Sequence, residues 1–142
     1  MIFSLDSNVF VYALRQPTEL DRLKAFLSWA LPSTVLPSVV AAELTAGART
    51  PAARKALDEH FLAPFERRGR IIAPSAAAWR RAGAVMARSG SGTTSASRLN
   101  DILLAAQARE HGWTVVSRDG DIRTLRAQIT GLKVAAPFPA RP

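Results

Sequence analysis

Residues 100–122 read NDILLAAQAREHGWTVVSRDGDI, and this stretch decides the fold. Asn100 can cap a helix running from Asp101 to His111, with Gly112 as its stop. Trp113 to Val116 then forms a short apolar strand, and Asp119-Gly120 opens a further short helix. Helix, buried strand, acid and helix in quick succession mark a parallel sheet covered on both faces.

The same alternation runs upstream. Ile2 to Leu5 is a strand ending at Asp6, and Asn8 to Leu14 is helical, with Ser7 as candidate N-cap and Pro17 as its stop. A second helix is expected from about Glu19 to Ala30, capped by Thr18. Thr34 to Leu36 is a strand closed by Pro37, and Ser38 caps a helix that carries Glu43 and stops near Gly47. Thr50-Pro51 opens another helix, Arg70 to Ala73 is a third strand, and Ser75 to Arg88 is an Ala-rich helix. Residues 89–97, SGSGTTSAS, read as a flexible loop. Leu132 to Ala135 is a fifth, edge strand, and PFPARP reads as a loose tail. One domain is expected over residues 1–136, with a Pro-rich tail at 137–142.

Composition narrows the chemistry. The 142 residues carry a formal charge of +8 and no cysteine, so neither a disulfide framework nor a thiolate metal site exists. The N-terminus lacks a basic segment followed by a long apolar run, and no run of about 18 uncharged apolar residues occurs, so neither a signal peptide nor a membrane span is expected. The reading is cytoplasmic. The cations are 16 Arg and 3 Lys, and guanidinium forks suit phosphate better than ammonium groups do. High-GC codon usage would give the same Arg excess. The net charge favours a polyanionic partner, nucleic acid or an acidic protein.

Against that positive background, four acids stand out: Asp6, Glu43, Asp101 and Asp119. Each has an ordinary explanation. Asp6 could cap the next helix, Asp101 could answer a helix dipole, Asp119 could sit in a turn, and Glu43 could pair with an Arg. Yet all four fall at chain positions that can converge on one sheet edge, where such folds bind their ligands. Clustered carboxylates are costly to bury without a cation, and Mg²⁺ or Mn²⁺ takes oxygen ligands of this kind. His60 and His111 are the only histidines, and neither sits in a nucleophile–base pattern. The three tryptophans, Trp29, Trp79 and Trp113, read as core or interface residues.

At these residues the chain resembles the PIN-domain ribonucleases, specifically the VapC-type toxins of bacterial type II toxin–antitoxin systems. The matching pieces are LDSNVFVYA (5–13), SVVAAELTAG (38–47), NDILLAAQAREHGWTVVSRD (100–119) and DGDIRTL (119–125). The resemblance spans Ile2 to about Val134. It implies a three-layer α/β sandwich, a short parallel sheet of four to five strands flanked by helices. It implies metal-dependent endoribonuclease activity, with Asp6, Asp101 and Asp119 as ligands of Mg²⁺ or Mn²⁺ and Glu43 acting directly or through a metal-bound water. Asp121 is a candidate further acid, and Asn8 and Ser117 match small polar positions that orient carboxylates or phosphate. The implied partners are RNA, such as tRNA or another structured RNA, a small cognate antitoxin and a second copy in a homodimer.

Arg49, Arg98, Arg118 and Arg123 lie near the acids in sequence and are candidates for RNA phosphates, against a reading as solvated surface charge. Two other function classes compete. One is a phospho-acceptor signalling domain, which needs a well-placed Lys. The other is a catalytically silent nuclease-like module that binds RNA or protein.

Overall fold

The computed structural model describes residues 1–89 and 96–142. In chain order it contains β1 (Phe3–Leu5), α1 (Ser7–Arg15), α2 (Pro17–Ala30), β2 (Thr34–Pro37), α3 (Ser38–Gly47) and α4 (Pro51–Leu57). After a π-helical segment, Asp58–Leu62, come α5 (Ala63–Glu66), β3 (Ile71–Ile72), α6 (Ala76–Arg88), α7 (Ala96–His111), β4 (Thr114–Val116), α8 (Gly120–Thr124) and β5 (Lys133–Ala135). The five strands form one parallel sheet in the order β3-β2-β1-β4-β5, with β5 at an edge.

The core follows from the apolar runs. All residues of β1, β2 and β4 are buried, as are Phe10 of α1, Leu23 and Phe26 of α2, and Phe65 of α5. Residues 102–108 of α7 are buried without interruption, so this helix sits deep within the molecule rather than along its surface. Its stop at Gly112 is as expected. Gly112 takes a left-handed φ of 71°, and Trp113 N–H returns to the carbonyl of Ala108 at 2.9 Å.

Several local expectations fail for physical reasons. Helix α7 begins at Ala96, not Asp101, so Asn100 and Asp101 lie inside the helix and neither caps it. Leu99 packs against the core, which continues the apolar pattern one turn earlier than the capping signal suggests. Asp6, not Ser7, is the N-cap of α1, and Pro17 opens α2 as well as closing α1, with Gln16 extended ahead of it. Thr18 therefore caps nothing. Ser38 is the first residue of α3 behind Pro37, with no side-chain cap. Thr50 and Ser75 do cap, accepting from the N–H groups of Ala53 and Ala78.

The C-terminal segment is not loose throughout. The Phe138 ring stacks on Phe26 with centroids 5.3 Å apart, and Arg22 donates to the Pro137 carbonyl at 3.2 Å. Trp29 and Trp113 join the core as expected, but Trp79 is 50% exposed on the outer face of α6. The flexible-loop reading of residues 89–97 falls mainly on 90–95, outside the described residues. No helix among the described residues is long and apolar enough to cross a membrane.

Candidate active site

The strand order reverses direction at β1. The chain moves outward through β2 and β3, then returns to add β4 and β5 on the other side. A crevice forms beyond the carboxyl ends of the strands at such a reversal. Asp6 follows β1 directly, Ser117 follows β4, and Asp6 N–H donates to the Val116 carbonyl at 3.0 Å, so the topology alone places these residues side by side.

Asp6 is the anchor. It is 4% exposed, and both carboxylate oxygens are engaged. Oδ1 accepts from Ser7 N–H at 2.7 Å, while Oδ2 accepts from the Ser117 hydroxyl at 2.9 Å and Asn8 Nδ2 at 3.2 Å. Asn8 Nδ2 also donates to Ser117 Oγ at 3.0 Å, and Asn8 Oδ1 accepts the N–H of Arg118 at 3.1 Å. Ser117 Oγ in turn accepts from Asp119 N–H at 3.1 Å. Asn8 and Ser117 thus fix the orientation of Asp6 and tie the turn after β4 to the start of α1. Asp119 caps α8, its Oδ1 accepting from Asp121 N–H at 2.9 Å.

The other carboxylates arrive on helices. Glu43 is half-buried on α3 and Asp101 half-buried on α7, and these two helices pack together. Burial raises the Asp6 carboxyl above its ordinary range, with hydrogen bonds from Ser117 and Ser7 opposing and Asp119 adding to the rise. Glu43 is raised by burial and by Asp6, with Asn100 and Ser7 as opposing hydrogen-bond partners. Asp101 is pushed up to about 7, first by burial, then by Asp6, Glu43, Asp119 and Asp121. The other four acids therefore all sit within electrostatic reach of Asp101. The ion pairs of Arg22, Arg118 and Lys55 go to Glu19 and Glu59, not to these acids.

The donor set is all oxygen, and its repulsion is what a divalent cation would relieve, so the residues fit a hard metal ion. As placed, no three His, Asp or Glu side chains among the described residues already close on an ion.

The arginines divide. Arg118 donates to Glu19 at 2.7 Å and lies over the Tyr12 ring at 3.8 Å. Arg123 is exposed on α8 and shares a small hollow with Arg22, Arg118 and Ser117. Arg49 lines a separate hollow with Arg54, Lys55, Asp58 and Glu59, none of them from the acid set, and Arg98 is exposed in the first turn of α7. Sequence reasoning missed Asn100 and Ser7 as neighbours of Glu43. Asn100 sits next to a singled-out acid, but its capping preference masked that position.

The comparisons bear on the fold and the family. The profile described as "PIN domain" matches residues 4–127. No curated protein matches the chain. Similar solved structures include FitAB bound to an IR36 DNA fragment, 21% identical over 99% of both chains with a TM-score of 0.70. VapBC2 from Rickettsia felis bound to a promoter DNA fragment is 22% identical over 97% of this chain and 100% of that one, TM-score 0.68. DNA-bound VapBC from Salmonella typhimurium is 21% identical over 96% and 98%, TM-score 0.68. With its parallel sheet, the acids gathered at the reversal of strand order and the profile match over most of its length, the chain belongs to the PIN domain family.

Proposed function

We propose that the chain is a metal-dependent endoribonuclease, the VapC-type toxin of a toxin–antitoxin pair. The observation that carries this reading is the gathering of Asp6, Glu43, Asp101 and Asp119 at the reversal of strand order, where burial and the neighbouring acids raise Asp101 to about 7. Asp6, Asp101 and Asp119 would hold Mg²⁺ or Mn²⁺, with Asp121 a further candidate. When bound, the ion would stabilise negative charge on the scissile phosphate and lower the pKa of water.

The reaction is hydrolysis of a phosphodiester. Water adds to phosphorus, one P–O ester bond breaks, and the leaving oxygen is released as a hydroxyl. Asp6, fixed by Ser7, Asn8 and Ser117, supplies a carboxylate that need not reorganise during the reaction. Glu43, raised by burial and held beside Asn100, is suited to take the proton of the attacking water.

The structural neighbours carry toxin–antitoxin names, and a small protein antitoxin is the partner this reading assigns. An apolar trough of about 370 Å³ between α1, α2 and the α4–α5 segment, lined by Leu14, Leu23, Leu27 and Phe61, offers it a seat. A homodimer is assigned by the same family reading, with the exposed Trp79 face of α6 as its candidate contact. The reading places the protein in the cytoplasm.

The silent-module alternative draws on the open spacing of the carboxylates. One experiment separates the two. Partner-free protein is incubated with total RNA in Mg²⁺ or Mn²⁺, in EDTA, and as Asp101→Asn in parallel. Cleavage that requires metal and disappears in the variant supports the nuclease. Salt-sensitive, metal-independent RNA binding without cleavage supports the silent module.

A further inference from the structure

Beside the carboxylates, and sharing Ser117 with them, lies a hollow of about 240 Å³ lined by Arg22, Ser117, Arg118, Arg123, Ala136 and Pro137. Its three guanidinium groups come from three places: α2, the turn after β4, and α8. Only one acid answers them directly. Glu19 accepts from Arg22 Nη1 at 2.9 Å and from Arg118 Nη1 at 2.7 Å. Three cations against this one carboxylate leave two positive charges at the hollow, and Arg123 has no ion-pair partner among the described residues.

Two of the three cations are already held in position. Arg118 is fixed by Glu19, by the Tyr12 ring beneath it, and by its backbone bond to Asn8. Arg22 is fixed by Glu19 and by the Pro137 carbonyl, and lies 5.4 Å over Phe138. Such preorganisation lowers the side-chain entropy cost of binding an anion. The remaining wall is the C-terminal segment, held by Phe138 against Phe26. The link to the acids is one residue long, because the hydroxyl of Ser117 donates to Asp6 at 2.9 Å.

We propose that this hollow is a phosphate subsite for the RNA backbone, holding a phosphodiester next to the one that is cut, with Arg22, Arg118 and Arg123 as its ligands and Glu19 as the internal counterion that sets their geometry. The proposal rests on the nuclease reading. Repulsion among the carboxylates and attraction in the hollow then act on successive parts of one strand. The metal site takes the scissile phosphate, and the arginines fix the register of the chain against it. Guanidinium forks match the two non-bridging oxygens of a phosphodiester.

The test uses full-length Asp101→Asn, expected to hold RNA without cutting it, and a labelled single-stranded RNA oligonucleotide across a KCl series. Adding Arg123→Gln should weaken binding about three- to tenfold at low salt and reduce the log–log salt slope by about 0.7, the single-strand value for one lost phosphate contact. Arg123→Lys should recover the slope but only part of the affinity, since it restores charge without the fork. In the active protein, Arg123→Gln should lower kcat/KM through KM. Unchanged affinity and slope in Arg123→Gln, with RNA still bound by the parent, would overturn the subsite and leave the nuclease intact. No RNA bound or cut by any version would overturn the nuclease reading itself. A loss seen with a poly-glutamate peptide but not with RNA would assign the hollow to an acidic protein partner instead.

Discussion

Asp101→Asn should make the metal-free protein more stable while removing its activity. Asp101 is raised from an ordinary 3.8 to about 7. Between those values the folded state binds protons that the unfolded state has released, so stability falls as pH rises through that window and the full penalty stands above about 7. The gap corresponds to about 4 kcal/mol at most, and because Asp101 is only half-buried, solvent screening reduces it to on the order of 1–2 kcal/mol. Asparagine keeps the shape and cannot ionise, so it removes the penalty and lessens the repulsion felt by Asp6 and Glu43. Thermal unfolding in EDTA should show a gain of roughly 3–8 °C at pH 8, shrinking towards pH 5. If the site holds Mg²⁺ as proposed, saturating Mg²⁺ should stabilise the parent and narrow the difference, because a site built from Asp101 exists only in the folded state. A variant no more stable than the parent at pH 8 in EDTA, or a gain that does not grow between pH 5 and pH 8, would refute the repulsion argument.

Three further outcomes are expected. Ser117→Ala removes a donor to Asp6 and should weaken Mg²⁺ binding on the order of 10- to 100-fold by calorimetry while costing little stability. Gly131→Ala places a Cβ at φ 87° and 2.5 Å from Arg109 Nε, which itself holds the Thr130 carbonyl; a loss of roughly 1–3 kcal/mol should appear in denaturant unfolding. Trp79→Glu puts a charge on the exposed face of α6 and should shift a homodimer towards monomer in light scattering, without loss of fold.

Much of the fold was legible because buried parallel strands leave short apolar runs that end abruptly at polar residues. LDSN and VVSRD each showed a strand and the acid beyond it, and both hold in the structure. The shift in the start of α7 was not legible, because Asn100 carries a strong capping preference that tertiary packing of Leu99 overrides. That shift altered the meaning of Asp101: it is not an acid answering a helix dipole but an interior carboxylate crowded by four others. Asp6 turned out to be both a cap and the centre of the cluster, so the two readings weighed against each other were not exclusive. The capture of Arg118 by Glu19 and Tyr12 depends on contacts between distant segments, and local pattern cannot show it. The docking of Phe138 on Phe26 was hidden for the same reason.

The pairing of β1 with β4 joins Ser4 to Val115, more than a hundred residues apart in sequence. Asp6 is translated more than a hundred residues before Ser117 and Asp119, which complete its surroundings. Until Ser117 and Asp119 have been made, a nascent chain has Asp6 without the turn that orients it. Loop closure over such a separation is also slow compared with helix formation. The acids can therefore gather only once β4 has joined β1, so the site and the two halves of the sheet form together.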